Sequence, residues 1–167
     1  MGENQLHGIK KVIPAKGNLL VWGLGNDSPY WQNSTHGQVK FIEDDSPSKK
    51  AGIQWYDTIM KKYPYLEAYR VHYNTNTVKS FSQYVNNPDT WHELDLCSQL
   101  PESVTQTHWH VIIVDAPLGC GCRGPGRYQS IYTSWKLAEI NTHIFIDDFE
   151  RKVEHEFSVN IFGKPVE

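Results

Sequence analysis

The chain has 167 residues, of which 39% are hydrophobic and 21% charged, and its formal net charge is −3 at pH 7. That length fits a single domain, 1–167, with 1–18 as an N-terminal lead-in. The small net charge gives neither nucleic acid nor an anionic membrane an electrostatic reason to bind, so we expect neither partner. Because no apolar run approaches the ~20 residues of a membrane span and the N-terminus lacks a signal peptide's apolar core, we expect a soluble, cytoplasmic protein.

The three cysteines do not form a recognisable framework. Their odd number and unrepeated spacing argue against a set of structural disulfides, and the pair separated by one residue is too close for an ordinary zinc knuckle. We therefore expect reduced, structural thiols at Cys97, Cys120 and Cys122.

Five short runs rich in Val, Ile and aromatic residues predict β-strands. Several of them are apolar throughout rather than alternating, which is typical of strands buried on both faces of a sheet. The predicted strands are Leu19–Trp22, Val39–Ile42, Ala68–Tyr73, Trp109–Val114 and His143–Ile146.

Segments of helical length lie between these runs. One of them carries apolar residues at positions i, i+3, i+4 and i+7, the stripe of an amphipathic helix. Strands alternating with helices predict an α/β fold, with a mostly parallel sheet covered by helices on both faces. The predicted helices are Ser46–Lys62, Val78–Val85, Pro125–Glu139 and Phe149–Phe157.

Functional candidates collect where the predicted strands end. In open α/β sheets the ligand binds outside the carboxyl ends of the strands. The first strand ends in a Gly-x-Gly turn, and the second, fourth and fifth end in acids. Acids gathered at one edge of the sheet, beside a glycine turn, predict a polar ligand site there.

The glycine turn favours a nucleoside-containing cofactor. Gly23 and Gly25 allow the backbone to approach a ligand, and Glu43 lies where an acid commonly binds ribose hydroxyls. Ser28 replaces the third glycine of the dinucleotide fingerprint, and Asp27 would repel a pyrophosphate. S-adenosylmethionine, which has no phosphate and carries a positive charge, fits better than NAD, whereas a purely structural turn remains the alternative.

The predicted cofactor-binding set is wider than the two glycines and Glu43. It comprises Gly23, Gly25, Asn26, Asp27, Ser28, Glu43, Asp44 and Asp115.

Three acids on two neighbouring strand ends predict a catalytic centre. Asp115, Asp147 and Asp148 would converge, and like charges at close range need a cation or a proton between them. Carboxylate oxygens suit Mg²⁺ or Mn²⁺. Two alternatives are a metal-free general base, and acids that only cap the following helix.

Arg127 begins the long amphipathic helix just beyond the fourth strand. A guanidinium fork is a natural partner for the carboxylate of a sugar acid. We therefore predict Arg127 as a catalytic-site residue beside Asp115 and Asp148, with an ion pair to a neighbouring acid as the alternative.

Several ordered motifs resemble one known family. The segments GLGNDSPYW, FIEDD, AYRVHYNT, WHVIIVDAPLG, PGRYQSIYTSWKLA and IFIDDFERKVE resemble plant polysaccharide-biosynthesis proteins that include the glucuronoxylan 4-O-methyltransferases. The resemblance implies a Rossmann-like class I methyltransferase fold and transfer of a methyl group from S-adenosylmethionine to a sugar hydroxyl of a glycan. The acids also resemble the divalent-metal site of catechol-type methyltransferases.

The chain departs from that family at two of its motifs. Asn26 stands where plant members have His, and Ile146-Asp147-Asp148 replaces Val-His-Asp. Plant members also carry a membrane anchor, so a Golgi location would require an anchor that has been removed. The chain would then be a compact relative or part of a larger glycan-modifying protein. A non-catalytic glycan-binding or scaffolding protein on the same fold is the competing hypothesis.

Overall fold

A computed structural model describes residues 3–45, 55–119 and 124–166. All five predicted strands are present. The second extends two residues beyond its predicted end, whereas the third is two residues shorter and the fourth begins two residues later. They are β1 Leu19–Trp22, β2 Val39–Asp44, β3 Ala68–Val71, β4 Val111–Val114 and β5 His143–Ile146.

The strands form one parallel sheet in the order β3-β2-β1-β4-β5. The chain moves outward from β1 to one side through β2 and β3, and then crosses to the other side through β4 and β5. The crevice between the carboxyl ends of β1 and β4 is therefore the topological switch point where α/β sheets bind ligands. The predicted α/β, Rossmann-like fold is confirmed.

Helices connect the strands. Their bounds are α1 Glu3–Val12, α2 Ser28–Gln32, α3 Trp55–Lys62, α4 Phe81–Tyr84, α5 Glu102–Thr105, α6 Tyr128–Leu137 and α7 Lys152–Phe162, with 3₁₀ turns at Pro88–Leu94 and Cys97–Gln99. The sequence did not predict α2, α5 or the two 3₁₀ turns, which are too short to show a helical period. The predicted helix from Ser46 is seen from Trp55 onward, and 46–54 lie outside the described residues.

The last predicted helix starts later than expected. It was predicted to begin at Phe149, but α7 begins at Lys152. Residues 147–150 form a turn after β5 in which Asp148 has φ 56°, a left-handed conformation that a right-handed helix cannot include, and Arg151 has an extended backbone just before the helix.

Both faces of the sheet are covered by apolar side chains, as the continuous strand patterns predicted. Alternate residues of β1 illustrate this: Leu20 and Trp22 join one cluster with α6 and α7, whereas Leu19 and Val21 join another with α1 to α3. The N-terminal segment contributes to the second cluster through Ile9 of α1 and Ile13, which directly follows that helix. The segment that the sequence marked as a lead-in therefore packs onto the sheet.

Two further expectations concern thiols and the membrane. Cys97 is a free cysteine, and burial raises the pKa of its thiol to about 11, so it stays protonated at neutral pH. Cys120 and Cys122 lie outside the described residues.

Within the described ranges, every helix is too short or too polar to cross a bilayer.

Candidate functional site

The glycine turn lies against the end of β4. Gly23 has φ 128°, which L-residues with side chains rarely adopt. A Cβ built on Gly23 would lie 3.5 Å from the Cβ of Ala116 and 3.7 Å from the Cβ of Asp115. These are ordinary van der Waals distances, so glycine is required here by its backbone conformation, and the turn lies close to the segment that carries Asp115.

Glu43, on β2, stabilises this turn by hydrogen bonds. Its Oε2 accepts a hydrogen bond from the backbone N–H of Leu24 at 2.6 Å, and its Oε1 accepts one from the N–H of Asp44 at 3.0 Å. Burial raises the pKa of the Glu43 carboxyl to about 7, although both hydrogen bonds lower it. Each carboxylate oxygen has a second lone pair, so Glu43 can still accept a hydrogen bond from a hydroxyl.

The remaining predicted cofactor residues divide into two groups. Ser28 is buried, and its Oγ accepts a hydrogen bond from the N–H of Gly25 at 2.9 Å, which stabilises the turn from within. Asn26 is exposed and accepts a hydrogen bond from Lys62 at 2.8 Å. Asp27 is exposed and Asp44 is half-buried. Two carboxylates beside the turn would oppose a pyrophosphate and favour a cationic ligand.

The three acids predicted as a catalytic centre come together. One carboxylate oxygen from each of Asp115, Asp147 and Asp148 lies within 4.8 Å of the other two, and all three residues are half-buried. Burial, together with a hydrogen bond to Asp147 and charge repulsion from it, raises the pKa of the Asp115 carboxyl to about 7, although the charge of Arg127 lowers it. Asp115 is therefore a carboxyl that can gain or lose a proton near neutral pH.

Arg127 is the positive centre of this cluster. Its guanidinium donates to Asp148 Oδ2 at 2.9 Å, to Asp115 Oδ1 at 3.3 Å and to the backbone oxygens of Asp115 and Asp147. Only 3% of the residue is exposed. The fork was predicted to bind an acceptor carboxylate, but here it is directed at the protein's own acids. Acceptor binding by Arg127 stays a prediction, and its observed contacts are those of a residue that positions the acids.

Asp148 adopts its left-handed conformation between two guanidinium groups. Besides Arg127, it pairs with Arg151, whose NH1 lies 2.6 Å from Asp148 Oδ2. The alternative in which these acids cap the next helix is not seen, because α7 starts at Lys152 and no side chain caps it. Glu154 is a fourth carboxylate at these guanidinium groups, with Oε1 3.9 Å from Arg127 Nε, so the cluster carries two net negative charges when all its groups are ionised.

Sequence reasoning missed three residues near this edge. Trp55 donates a hydrogen bond from Nε1 to the carbonyl of Leu24, in the glycine turn. Tyr73 follows β3 with a buried hydroxyl, and Glu154 on α7 has a fully buried carboxylate; both lack a hydrogen-bond partner in the described parts of the chain. An aromatic residue just beyond a strand end was a usable signal for Tyr73, but nothing in the local pattern marks Glu154.

The edge therefore combines two kinds of chemistry. The glycine turn that follows β1 is held by Glu43, and a carboxyl group with a pKa near neutrality lies beside that turn. Such an arrangement can bind a nucleoside cofactor at the turn and accept a proton at Asp115. The three acids can also supply oxygen ligands to one divalent cation.

The sequence was compared with protein families and with curated proteins. A family model described as IRX15/IRX15L/GXM matches residues 5–164. Glucuronoxylan 4-O-methyltransferase 2 of Arabidopsis thaliana is 37% identical over an alignment that covers 90% of this chain and 56% of the relative.

Two other Arabidopsis thaliana proteins extend the comparison. Arabinogalactan O-methyltransferase 1 is 30% identical over 90% of this chain and 55% of the relative. Protein IRREGULAR XYLEM 15 is 30% identical over 82% of this chain and 47% of the relative. The chain thus spans about half the length of the curated relatives it matches, and no solved structure matches it.

Proposed function

Because the chain belongs to the IRX15/IRX15L/GXM family, we propose that it transfers a methyl group from S-adenosylmethionine to a sugar hydroxyl of a polysaccharide. The observation that carries this proposal is the position of the glycine turn beside the Asp115 end of β4, where a Cβ built on Gly23 would lie 3.7 Å from the Cβ of Asp115. The names of relatives that methylate glucuronoxylan and arabinogalactan support the substrate class.

The residues of the glycine turn fit S-adenosylmethionine. A Cβ on Gly25 would lie 2.8 Å from Asp27 Oδ1, so a side chain at position 25 would displace the Asp27 carboxylate that lies against the turn. The free lone pairs of Glu43 suit ribose hydroxyls, and the nearby carboxylates of Asp27 and Asp44 suit a cofactor with a positive charge. When bound, S-adenosylmethionine supplies an electrophilic methyl group.

In this proposal Asp115 accepts the proton that the sugar hydroxyl loses. A general base works best with a pKa near the working pH, and the Asp115 carboxyl has a pKa of about 7. Arg127 holds the Asp115 carboxylate in place through its NH2 group. The burial of Arg127 fixes that geometry before any acceptor arrives.

A divalent cation at Asp115, Asp147 and Asp148 is the finer part of the proposal. Arg127 and Arg151 compensate part of the negative charge of the three aspartates and Glu154, and the remainder favours a cation. Mg²⁺ or Mn²⁺ held there would polarise a coordinated sugar hydroxyl and lower its pKa.

The test uses calorimetry first and methyl transfer second. We expect S-adenosylhomocysteine to bind and NAD not to bind, and methyl label to pass from S-adenosylmethionine to glucuronoxylan or arabinogalactan oligosaccharides. If S-adenosylhomocysteine does not bind, the proposed methyl transfer from S-adenosylmethionine is wrong. Binding of oligosaccharides without methyl transfer would instead favour the non-catalytic glycan-binding alternative.

The cation is tested separately, with the same transfer assay. Chelator should lower turnover, and added Mg²⁺ or Mn²⁺ should restore it. Full turnover in excess chelator would leave Asp115 as a metal-free base.

A further inference from the structure

Trp55 lies on the glycine turn although it is distant from it in sequence. It is the first residue of α3, and 45% of it is exposed. Its indole Nε1 donates a hydrogen bond of 2.5 Å to the carbonyl oxygen of Leu24, between the two glycines of the turn. A large aromatic ring is therefore held at the ligand edge of the sheet with nearly half of its residue surface open.

The same short segment links Trp55 to Glu43. Leu24 donates its N–H to Glu43 Oε2 at 2.6 Å and accepts the indole hydrogen bond at its own carbonyl. The indole ring of Trp55 and the carboxylate of Glu43, which is proposed to bind ribose, are thus both hydrogen-bonded to Leu24. A ligand group that extends from the ribose can reach the indole.

The order of the strands decides which end of the cofactor faces Trp55. The helix α3 connects β2 to β3, on one side of β1, whereas the acids Asp115, Asp147 and Asp148 end β4 and β5, on the other side. The transferred methyl group belongs beside the acids. The opposite end of the cofactor, its adenine, then falls on the side of Trp55.

We propose that Trp55 binds the adenine ring of S-adenosylmethionine by stacking against it; this inference rests on the proposed function. The indole N–H is already used by Leu24, so the ring offers its face rather than a hydrogen-bond donor. The hydrogen bond also fixes the ring beside the turn, so little side-chain freedom is lost when adenine binds.

The experiment compares the calorimetric affinity of S-adenosylhomocysteine and of adenosine for the unmodified protein and for Trp55 variants. Loss of one base-aromatic stacking contact corresponds to roughly a 5- to 150-fold weakening. We expect Trp55→Ala to weaken both ligands by a factor in that range. Trp55→Phe keeps an aromatic face and should recover most of the affinity.

Trp135→Ala is the matched control. Trp135 is also 45% exposed, but it lies on α6 and packs against Tyr132, with ring centroids 5.6 Å apart. This variant should bind both ligands as the unmodified protein does, and thermal unfolding should show that all three variants remain folded.

Three outcomes separate this inference from its alternatives. If the unmodified protein does not bind S-adenosylhomocysteine, the proposed function itself fails. If the protein binds but Trp55→Ala binds equally well, or raises only the KM for the oligosaccharide acceptor, the adenine assignment is overturned. If Trp55→Phe is as weak as Trp55→Ala, Trp55 only positions the Leu24 carbonyl and the stacking proposal is wrong.

Discussion

At the scale of single residues, Asp115 differs from the other acids at the sheet edge in its surroundings. It lies beside the glycine turn, accepts a hydrogen bond from Arg127, and is repelled by Asp147. Burial and that repulsion raise the pKa of Asp115 to about 7, whereas an unburied aspartate has a pKa of 3.8. The residue can therefore act as a base only when the pH is near or above neutrality.

Replacing Asp115 should affect turnover far more than cofactor binding. General-base catalysis contributes about 10²- to 10⁴-fold, so Asp115→Asn should lower kcat by a factor in that range. Calorimetry with S-adenosylhomocysteine should change less, because the glycine turn and Glu43 are untouched. In the unmodified enzyme, kcat should rise as the pH passes upward through about 7, as Asp115 loses its proton.

Asp89→Asn provides the control for this variant. Asp89 is an exposed acid in the first 3₁₀ turn, and its replacement should leave kcat and the pH profile unchanged. A kcat for Asp115→Asn within about threefold of the unmodified enzyme would contradict the assignment of the base, since a general base contributes far more than this.

At the scale of elements, the turn between β1 and α2 is the part of the fold that we propose binds the cofactor. Val at position 25 would place branched carbons in the space the cofactor needs. The nearest atom to a new Cβ is Asp27 Oδ1, at 2.8 Å, which is the end of an exposed side chain and can move. Gly25→Val should therefore abolish S-adenosylhomocysteine binding in calorimetry while the melting temperature changes little.

Gly8→Ala is the control for a glycine outside the turn. A Cβ on Gly8, in α1, meets nothing within 4 Å, and Ala is favoured over Gly in a helix by about 0.5–1 kcal/mol. The variant should bind the cofactor normally and be slightly more stable. Normal cofactor binding by Gly25→Val would show that the turn does not hold the ligand.

Arg127 joins three elements, because it begins α6 and contacts the ends of β4 and β5. Removing one partner of a buried ion pair leaves uncompensated charge and costs about 3–5 kcal/mol. Arg127→Met should lower the free energy of unfolding by about that amount in urea titrations at pH 8, where the acids are ionised.

The exposed pair of Arg70 and Asp57 offers the comparison. Arg70 also lies over the Tyr56 ring, 4.2 Å from its centroid, but it is solvent-exposed. Arg70→Met should cost roughly 1 kcal/mol. Equal losses for the two variants would mean that the Arg127 cluster contributes no more to stability than a surface pair does.

The sequence predicted elements well where a local pattern determines them. The apolar run of β4, Val111–Val114, is buried on both faces and could be read directly. The start of α7 was predicted wrongly because residues 147–150 form a turn and Arg151, the residue before the helix, has an extended backbone. In that turn Asp148 is left-handed and pairs with Arg151, three residues on, and with Arg127; only the contact with Arg127 is distant in sequence.

The same distinction applies to the site. Glycines and acids at strand ends identified the edge, because strand ends of a parallel sheet converge whatever the detailed packing. The sequence did not show that Arg127 would form ion pairs with the protein's own acids. It also did not show that Trp55 would donate a hydrogen bond to Leu24. Both contacts depend on how helices pack across the sheet.

At the scale of the whole molecule, buried acids make stability depend on pH. The pKa of Glu43 is raised from 4.5, and that of Asp115 from 3.8, to about 7, while burial raises that of Glu154 as well. The folded state therefore binds more protons than the unfolded state between these values. Stability from these groups is fully present below about pH 4 and is lost as the pH rises through 7.

We expect the free energy of unfolding to fall between pH 5 and pH 8, by on the order of 1 kcal/mol for each ionised group. Urea titrations at several pH values in that window measure the slope. Asp115→Asn and Glu43→Gln should each flatten it, whereas Asp89→Asn should not. A free energy of unfolding that rises across this window would contradict the raised pKa values.

The two hydrogen bonds on Leu24 also have a consequence for kinetics. Glu43 holds its N–H and Trp55 holds its carbonyl, so two elements fix the turn before any ligand arrives. The entropy of ordering this segment is then lost during folding and not during association. Cofactor should meet a rigid surface, and the amide hydrogen of Leu24 should exchange slowly with solvent deuterium even in the ligand-free protein.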